Sequence, residues 1–143
     1  MLRAVMDTNV LYSALRSRLG ASFDIFLALR DGRWRAVLSN HLLHEYEEVL
    51  RAAASDLSLS FEDIDTLLDA ICAGAEEWQL APGWIPILRD PDDEPLVQLA
   101  YDSAARRIVT HNARDLAPAR SLGVEVLPHV ISQRCSLCYD TSR

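Results

Sequence analysis

The chain has 143 residues, of which 50% are hydrophobic and 24% are charged, and its formal net charge is −7. This length suits one domain with a sizeable core, and the acidic balance argues against loose electrostatic binding of nucleic acid. No apolar run is long enough to span a bilayer, and Asp7 interrupts the first apolar run, so the amino end lacks the form of a signal peptide. We therefore expect a cytoplasmic protein that makes no use of a membrane.

The first apolar run, Leu2 to Met6, is typical of a short strand that is buried on both faces. Helical spacing follows, so Asp7 is predicted to lie where a buried strand ends and a helix begins. Thr8 or Asn9 could cap this helix, and Asp7 itself is the alternative cap. We favour a functional role for Asp7, because a charged group at the end of a buried strand is costly unless it is paired or bound to a metal ion.

Helix and strand patterns then alternate along the chain. Ala21 to Arg30 has the apolar spacing of a helix, and Trp34 to Leu38 is typical of a second strand. A further helix, capped by Ser39 or Asn40, is predicted to run to about Ala54. A helix between two strands is the repeating unit of a parallel α/β sheet.

This third predicted helix carries two glutamates that border its apolar stripe. Glu45 lies at one edge and Glu47 at the other, and periodicity alone does not choose between them as a partner for Asp7. His41 and His44 lie further round the helix. The segment HEYEE lacks the second histidine of the zinc-protease pattern HExxH, so we expect both histidines to be exposed polar residues.

A capping box at Ser60 to Asp63 opens another helix, which is predicted to continue to about Ala75. Trp78 to Leu80 follows as either a strand or an extended connection. Prolines and a glycine then keep the chain irregular from Pro82 onward.

An acidic cluster precedes the next predicted helix, and Pro95 suits the first turn of that helix. Four acids occupy five positions: Asp90, Asp92, Asp93 and Glu94. One or two of them could cap the helix, which stabilises it by about 0.5–2 kcal/mol per cap. Four clustered acids repel one another, and a bound divalent cation would offset that repulsion. Capping and metal binding therefore remain open alternatives for this cluster.

A short strand, Arg107 to Thr110, leads into a polar turn that carries His111, Asn112 and Asp115. Ligands of parallel α/β sheets bind at the carboxyl ends of the strands. We therefore expect this turn to border a binding site.

The carboxyl-terminal part contains a short predicted helix, Ala117 to Leu122, and a last strand, Val124 to Leu127. We place one domain at residues 1–131 and expect a flexible tail at residues 132–143. The tail holds Cys135 and Cys138 in a CxxC spacing. A single CxxC supplies only half of a structural zinc site. The pair could also form a disulfide, or its spacing could be an accident of the tail, so we assign it no metal.

Four segments, MDTNVL, HEYEEVL, DPDDEPLVQLA and IVTHNARDL, occur in an order and spacing that resemble the PIN-domain family. More narrowly, they resemble its VapC-type members, the toxin components of toxin–antitoxin pairs. The resemblance covers roughly residues 1–130. It implies a three-layer α/β/α sandwich around a central, mostly parallel sheet. It also implies an endoribonuclease that depends on Mg²⁺ or Mn²⁺.

Carried over position by position, the resemblance chooses Glu45 over Glu47 and implies a set of acids that bind the metal and carry the catalysis: Asp7, Glu45, Asp93 and Asp115. Polar residues around them are expected to contact substrate or to orient the acids: Thr8, Asn9, Thr110 and Asn112. These residue types suit the chemistry, because Mg²⁺ prefers oxygen ligands. A bound Mg²⁺ also activates water for attack on a phosphodiester.

Two positions depart from the family pattern. Many relatives have aspartate at Asn112, and some have glutamate at Gln98, so this chain offers less negative charge for a second cation. Because the whole molecule repels RNA, local arginines are needed to attract it, and the candidates are Arg16, Arg18, Arg89, Arg106, Arg107 and Arg114.

The expected partners are RNA, a small antitoxin protein and a second copy of the chain. Two alternatives stay open. One is a nuclease of DNA or flap structures outside any toxin system, and the other is a catalytically silent PIN-like module that binds protein or RNA.

Overall fold

A computed structural model describes residues 1–128 of the chain. The strands are β1 (Leu2–Met6), β2 (Trp34–Leu38), β3 (Glu76–Glu77), β4 (Arg107–Thr110) and β5 (Glu125–Pro128). The helices are α1 (Thr8–Arg16), α2 (Ala21–Arg30), α3 (Asn40–Ala52), α4 (Ala54–Leu57), α5 (Phe61–Gly74) and α6 (Glu94–Asp102). Two 3₁₀ segments cover Pro91–Asp93 and Ala117–Leu122. The predicted tail with Cys135 and Cys138 lies outside the described residues.

The five strands form one sheet in the order β3-β2-β1-β4-β5, and every neighbouring pair is parallel. The predicted α/β class is therefore confirmed. The connections run in one direction from β1 to β3 and in the opposite direction after β3, and the right-handed rule for parallel crossovers then predicts helices on both faces of the sheet. The order reverses between β1 and β4. In open parallel sheets, ligands bind in the crevice at such a switch point, outside the carboxyl ends of the strands.

The core lies on both sides of β1, whose Ala4, Val5 and Met6 are fully buried. Trp34 and Tyr46 are the two largest fully buried side chains of this core. The burial of each stabilises the folded protein by about 2–3 kcal/mol. Their polar atoms are satisfied, since the indole N–H of Trp34 donates to the Ile25 carbonyl at 3.0 Å and the Tyr46 hydroxyl donates to the Met6 carbonyl. Tyr46 thereby ties α3 to the end of β1, directly beside Asp7.

Most predicted element bounds are confirmed, and the helix caps are resolved. Ser39, rather than Asn40, caps α3, because its hydroxyl accepts from the Leu42 N–H at 3.1 Å. The capping box of α5 is present, with Ser60 and Asp63 each accepting from the backbone of the other at 3.0 Å.

The third strand differs from its prediction. Trp78–Leu80 forms the extended connection, and the strand lies just before it at Glu76–Glu77. The Glu76 carboxylate accepts from Arg3 of β1 at 2.8 Å, and the Trp78 N–H still reaches the Leu38 carbonyl at 2.8 Å. This edge strand is therefore held by its backbone pairing with β2 and by the side-chain ion pair with Arg3 of β1.

The segment Ala117–Leu122 is a 3₁₀ helix that ends at Gly123. Gly123 has a φ of +79°, a conformation that residues with a Cβ atom rarely adopt. Within residues 1–128, no helix combines the length and the apolar character that crossing a bilayer requires.

Candidate functional site

Asp7 lies where β1 meets α1, at the switch point of the sheet. Its backbone N–H donates to the Val109 carbonyl at 2.9 Å, and its carboxylate accepts from the Thr110 hydroxyl at 2.7 Å. Asp7 occupies the N-cap position of α1, but its side chain makes no capping hydrogen bond. The structure therefore rejects helix capping as the role of the Asp7 carboxylate.

Thr8 and Asn9 do not cap α1 either, which makes that prediction wrong. Thr8 is buried in the first turn, and its hydroxyl donates to the Glu45 carboxylate at 2.9 Å. The Asn9 side-chain carbonyl accepts from the backbone N–H of His111 at 3.2 Å. Both side chains join α1 to a neighbouring element, Thr8 to α3 and Asn9 to the end of β4.

The two glutamates of α3 face in different directions. Glu45 turns towards α1, where Thr8 donates to it, whereas Glu47 pairs with Arg51 at 3.4 Å. The contacts therefore bring Glu45, and not Glu47, towards Asp7. The nearby His44 is exposed, as predicted, and pairs with Glu48 at 3.0 Å.

The four clustered acids have different roles. Asp90 caps the 3₁₀ segment by accepting from the Asp92 N–H at 2.9 Å. Glu94 is only 6% exposed and accepts from the Trp84 indole at 2.9 Å and from the backbone of the preceding connection. Asp93 is partly buried and makes no capping hydrogen bond. Capping and loop anchoring thus account for Asp90 and Glu94. They leave Asp92, which is exposed, and Asp93, which is partly buried and is the one predicted for the site.

The pKa values show that the acids of the site share one electrostatic environment. Burial raises the pKa of Asp93 to about 6, with further repulsion from neighbouring carboxylates in the order Asp90, Asp7, Asp115 and Glu45. Burial also raises the pKa of Asp7, and repulsion from Glu45 adds to the rise. The Thr110 hydrogen bond and the nearby backbone amides of Thr8 and Asn9 lower the pKa of Asp7. Neither amide makes a capping hydrogen bond with the Asp7 side chain.

The buried Tyr46 is affected by the same carboxylates. Burial raises the pKa of its phenol well above the usual value, and the charges of Asp7 and Glu45 raise it further. The carboxylates are not neutralised by the protein, because no arginine in residues 1–128 forms an ion pair with Asp7, Glu45, Asp93 or Asp115.

The side chains of the described residues do not form a ready set of metal ligands. Within residues 1–128, no group of three or more His, Cys, Asp or Glu side chains is close enough to hold one ion. The acids are coupled through their charges but are spaced more widely than direct ligands. The assignment of Asp7, Glu45, Asp93 and Asp115 as metal ligands stays a prediction.

Two adjoining clefts contain the predicted acids. The smaller cleft is lined by Asp7, Ser39, His41, Leu42, Glu45, Asp92, Asp93, Pro95 and Leu96. The larger cleft, of about 610 Å³, is lined by Arg89, Asp90, Arg114, Asp115 and Pro118. Three of the four predicted acids therefore line one cleft, and the fourth lies in the next.

His41 is a lining residue to which sequence reasoning gave no role. It is exposed, as predicted, but it shares the smaller cleft with Asp7 and Glu45. The signal was present in the sequence, because His41 precedes Glu45 by four positions and such residues share one face of a helix.

The two positions that depart from the family pattern lie in different places. Asn112 is exposed at the end of β4, and its backbone N–H donates to the Thr110 hydroxyl at 2.9 Å. Gln98 is buried and donates to the Ala81 carbonyl at 2.6 Å and to Asp102 at 3.1 Å. Asn112 therefore belongs to the surroundings of the site, whereas Gln98 holds the connection before α6.

Only two of the candidate arginines, Arg89 and Arg114, line these clefts. Arg106 stacks on the Tyr101 ring at 4.2 Å, and Arg107 lies 4.0 Å from Glu125. Arg16 donates to the Tyr12 hydroxyl at 3.4 Å. Arg106 and Arg107 thus have structural partners at the amino end of β4, away from the acids.

Unneutralised carboxylates at the switch point of a parallel α/β sheet lie where such sheets bind ligands, and they are the oxygen ligands with which a metal-dependent hydrolase holds its ion. A family model described as PIN domain matches residues 3–114, which extend from β1 into the turn after β4. The chain therefore belongs to the PIN-domain family. PIN domains are in general nucleases that use divalent metal ions. No curated protein matches the chain closely enough to count as a relative.

Proposed function

We propose that this protein is a metal-dependent endoribonuclease, which hydrolyses RNA phosphodiester bonds, and that it is the toxin of a toxin–antitoxin pair. One observation carries the nuclease part. The carboxylates of Asp7, Glu45, Asp93 and Asp115 share one field at the ends of β1 and β4, and no arginine in the described residues neutralises them. Such a concentration of negative charge is stabilised by a cation.

The same four acids are the residues that would hold Mg²⁺ or Mn²⁺. Mg²⁺ keeps several of its waters and binds through few direct carboxylate contacts. Carboxylates that are coupled but not gathered at direct ligand distance suit such a hydrated ion. When bound, the ion would act as a Lewis acid on the phosphate and lower the pKa of a water.

The residues around the acids hold them in place for this role. The Thr110 hydroxyl orients Asp7 from β4, and the Thr8 hydroxyl orients Glu45 from α1. Asp93 lines the cleft beside Asp7 and Glu45, and its side chain makes no capping hydrogen bond, so its carboxylate is available to take a proton. We assign it the acceptance of the proton from the attacking water.

The toxin assignment, the partners and the cytoplasmic location rest on the resemblance of the whole motif set to VapC-type proteins. An apolar groove between α2 and α5 provides a surface for a protein partner such as an antitoxin or a second copy. Its volume is about 440 Å³, and its apolar lining includes Phe26, Leu29, Leu67 and Ile71. These side chains are partly or fully buried, and apolar grooves of this kind are common binding places for a partner segment.

A second candidate function is a catalytically silent PIN-like module. It is favoured by the absence, within residues 1–128, of three side chains placed as direct ligands, and by the neutral Asn112. The two candidates differ in whether RNA is cut.

Cleavage of matched single-stranded RNA and DNA with Mg²⁺, Mn²⁺ or chelator tests the proposal. We expect the parent to cut RNA with either metal and to be inactive in chelator. Asp7→Asn should abolish cleavage and Mn²⁺ binding while the circular dichroism spectrum is unchanged, because removing one repelling carboxylate does not unfold the domain. Asp56→Asn, at an exposed position of α4, is the matched control.

If both nucleic acids stay intact with either metal, the protein is a silent module. If only DNA is cut, it is a DNA nuclease. The toxin part has a separate test. The product of a short neighbouring reading frame should bind the protein and suppress RNA cleavage, and cleavage that continues in the complex would contradict it.

A further inference from the structure

The larger cleft leads directly into the acidic site. Asp90 and Asp115 line it, and both carboxylates contribute to the raised pKa of Asp93, which lies in the smaller cleft. Asp90 of the larger cleft is two positions from Asp92 of the smaller one, so the two clefts are neighbours on the surface. A strand whose scissile phosphate lies at the smaller cleft would place a neighbouring phosphate in the larger one.

The walls of the larger cleft come from two segments that the fold holds firmly. On one side, Arg89 follows a connection whose backbone N–H groups at Ile87 and Leu88 donate to the buried Glu94, the former at 2.7 Å. Glu94 also accepts from the indole of Trp84 at 2.9 Å. Arg89 is therefore attached to an anchored loop and not to a free one.

On the other side, Arg114 belongs to the turn after β4. The Leu116 N–H donates to the Asn112 carbonyl at 3.1 Å across this turn, and Leu116 is fully buried. The Asn112 N–H donates in turn to Thr110 at 2.9 Å. The backbone that carries Arg114 is thus fixed at both ends.

Both arginine side chains are exposed in the cleft without a partner from the described chain. Within residues 1–128, neither Arg89 nor Arg114 makes a hydrogen bond or an ion pair. Several other arginines do, for example Arg3 with Glu76 and Arg51 with Asp65. Two unpaired guanidinium groups on one cleft of an acidic protein indicate an anionic ligand, and the planar fork of arginine matches a phosphate.

We propose that Arg89 and Arg114 together bind a backbone phosphate of the RNA next to the one that is cleaved. This inference rests on the proposed ribonuclease function and names the part of the substrate that the larger cleft takes. It also explains how a chain with a net charge of −7 holds RNA at an acidic site. The two arginines act in binding and do not contact the reacting atoms.

The test compares Arg89→Ala, Arg114→Ala and the double variant with the parent. The control is Arg35→Ala, an exposed arginine near the start of β2 that lines neither cleft. Binding of a labelled single-stranded RNA is measured in chelator, so that no cleavage occurs, over a series of NaCl concentrations. Cleavage kinetics and Mn²⁺ binding are measured separately.

Each single variant should bind RNA about tenfold more weakly, as expected for loss of a charged hydrogen bond. The double variant should lower the salt slope of log K by about 0.7, the value for one lost phosphate contact on a single strand. Its KM should rise while its kcat and its Mn²⁺ affinity stay near those of the parent.

Double-variant binding with the same affinity and salt slope as Arg35→Ala would overturn the phosphate site and leave the ribonuclease proposal intact. A parent that neither binds nor cleaves RNA would overturn both. A double variant that binds RNA normally but loses Mn²⁺ would also contradict the inference, because it would place the arginines in the metal site.

Discussion

The Thr110 hydroxyl donates a hydrogen bond of 2.7 Å to the Asp7 carboxylate, and this bond joins the ends of β4 and β1 where the order of the sheet reverses. Thr110 is fully buried, and its oxygen also accepts from the Asn112 N–H at 2.9 Å. One hydroxyl therefore orients the first predicted acid and holds the turn that carries Asp115.

Replacing this hydroxyl should change the pH dependence of cleavage. The Thr110 hydrogen bond lowers the pKa of Asp7 against the effect of burial. In Thr110→Val the pKa of Asp7 should rise further, and the acidic limb of the pH–rate profile should move to higher pH. The loss of both hydrogen bonds of this hydroxyl should cost about 1–3 kcal/mol of stability in urea unfolding. Thr110→Ser, which keeps the hydroxyl, is the control, and coincident profiles for the Val and Ser variants would contradict the assignment.

The two glutamates of α3 provide a matched pair of variants. Glu45→Gln should weaken Mn²⁺ binding and cleavage by about 10- to 100-fold, as for other groups that hold or orient a metal. Glu47→Gln makes the same chemical change two positions further along α3, where the side chain pairs with Arg51 and not with the site. It should leave both properties near those of the parent. Equal losses in the two variants would show that the effect comes from the helix and not from the site.

Asp93 makes the stability of the metal-free protein depend on pH. Its pKa is 3.8 when unperturbed and about 6 in the folded protein, so the folded state holds its proton more tightly. Stability should therefore fall as the pH rises from about 4 through 6, where Asp93 ionises in its repulsive surroundings. Asp93→Asn removes this penalty and should be more stable above pH 6 by about 1 kcal/mol, after allowance for solvent screening.

The measurement is urea unfolding of the parent and Asp93→Asn in chelator across this pH range. The readout is the difference in the free energy of unfolding between the two proteins at each pH. This difference should vanish near pH 4. A difference that does not vary with pH would show that Asp93 is not perturbed. Asp56→Asn should show no such pH dependence.

A bound metal ion should remove the loss of stability that the ionised Asp93 causes. Mn²⁺ should raise the melting temperature of the parent, because a ligand at 100 times its Kd stabilises the folded state by about 2.7 kcal/mol. The rise should be larger at pH 8 than at about pH 5, where protons compete for the carboxylates. It should be absent in Asp7→Asn. A rise of the same size in that variant would place the metal elsewhere on the protein.

Glu94 should be needed for stability and not for metal binding. It accepts from the Trp84 indole and from two backbone N–H groups while nearly buried. In Glu94→Gln the amide NH₂ faces these donors, so we expect a loss of about 2–3 kcal/mol in urea unfolding. Mn²⁺ affinity should be retained. Glu62→Gln, at an exposed position of α5, is the control, and equal stability of the two variants would contradict the anchoring role.

The family match supports the nuclease class and includes three of the four predicted acids. The matched residues 3–114 contain Asp7, Glu45 and Asp93 and end one position before Asp115. Asp115 is nevertheless one of the carboxylates that raise the pKa of Asp93. Its place in the site rests on this electrostatic coupling and on its position in the turn after β4.

Local sequence determined the elements and the position of Asp7. The apolar run of β1, the stripe of α3 and the capping box at Ser60 specify their structures through hydrogen bonds between near neighbours and through periodic burial. These interactions act within a few residues, so a single chain reveals them. The bounds of β1, α2 and β2 were predicted correctly for this reason.

Only the tertiary structure decided what the polar side chains do. Glu45 accepts a hydrogen bond from Thr8, which lies 37 positions earlier in the chain. Asp7 accepts one from Thr110, which lies 103 positions later. The four clustered acids looked alike in sequence, yet Glu94 is buried in a connection and Asp93 faces the cleft. A charged side chain can serve equally as a cap, an anchor or a site residue, and its role depends on which distant donors and charges the fold brings beside it.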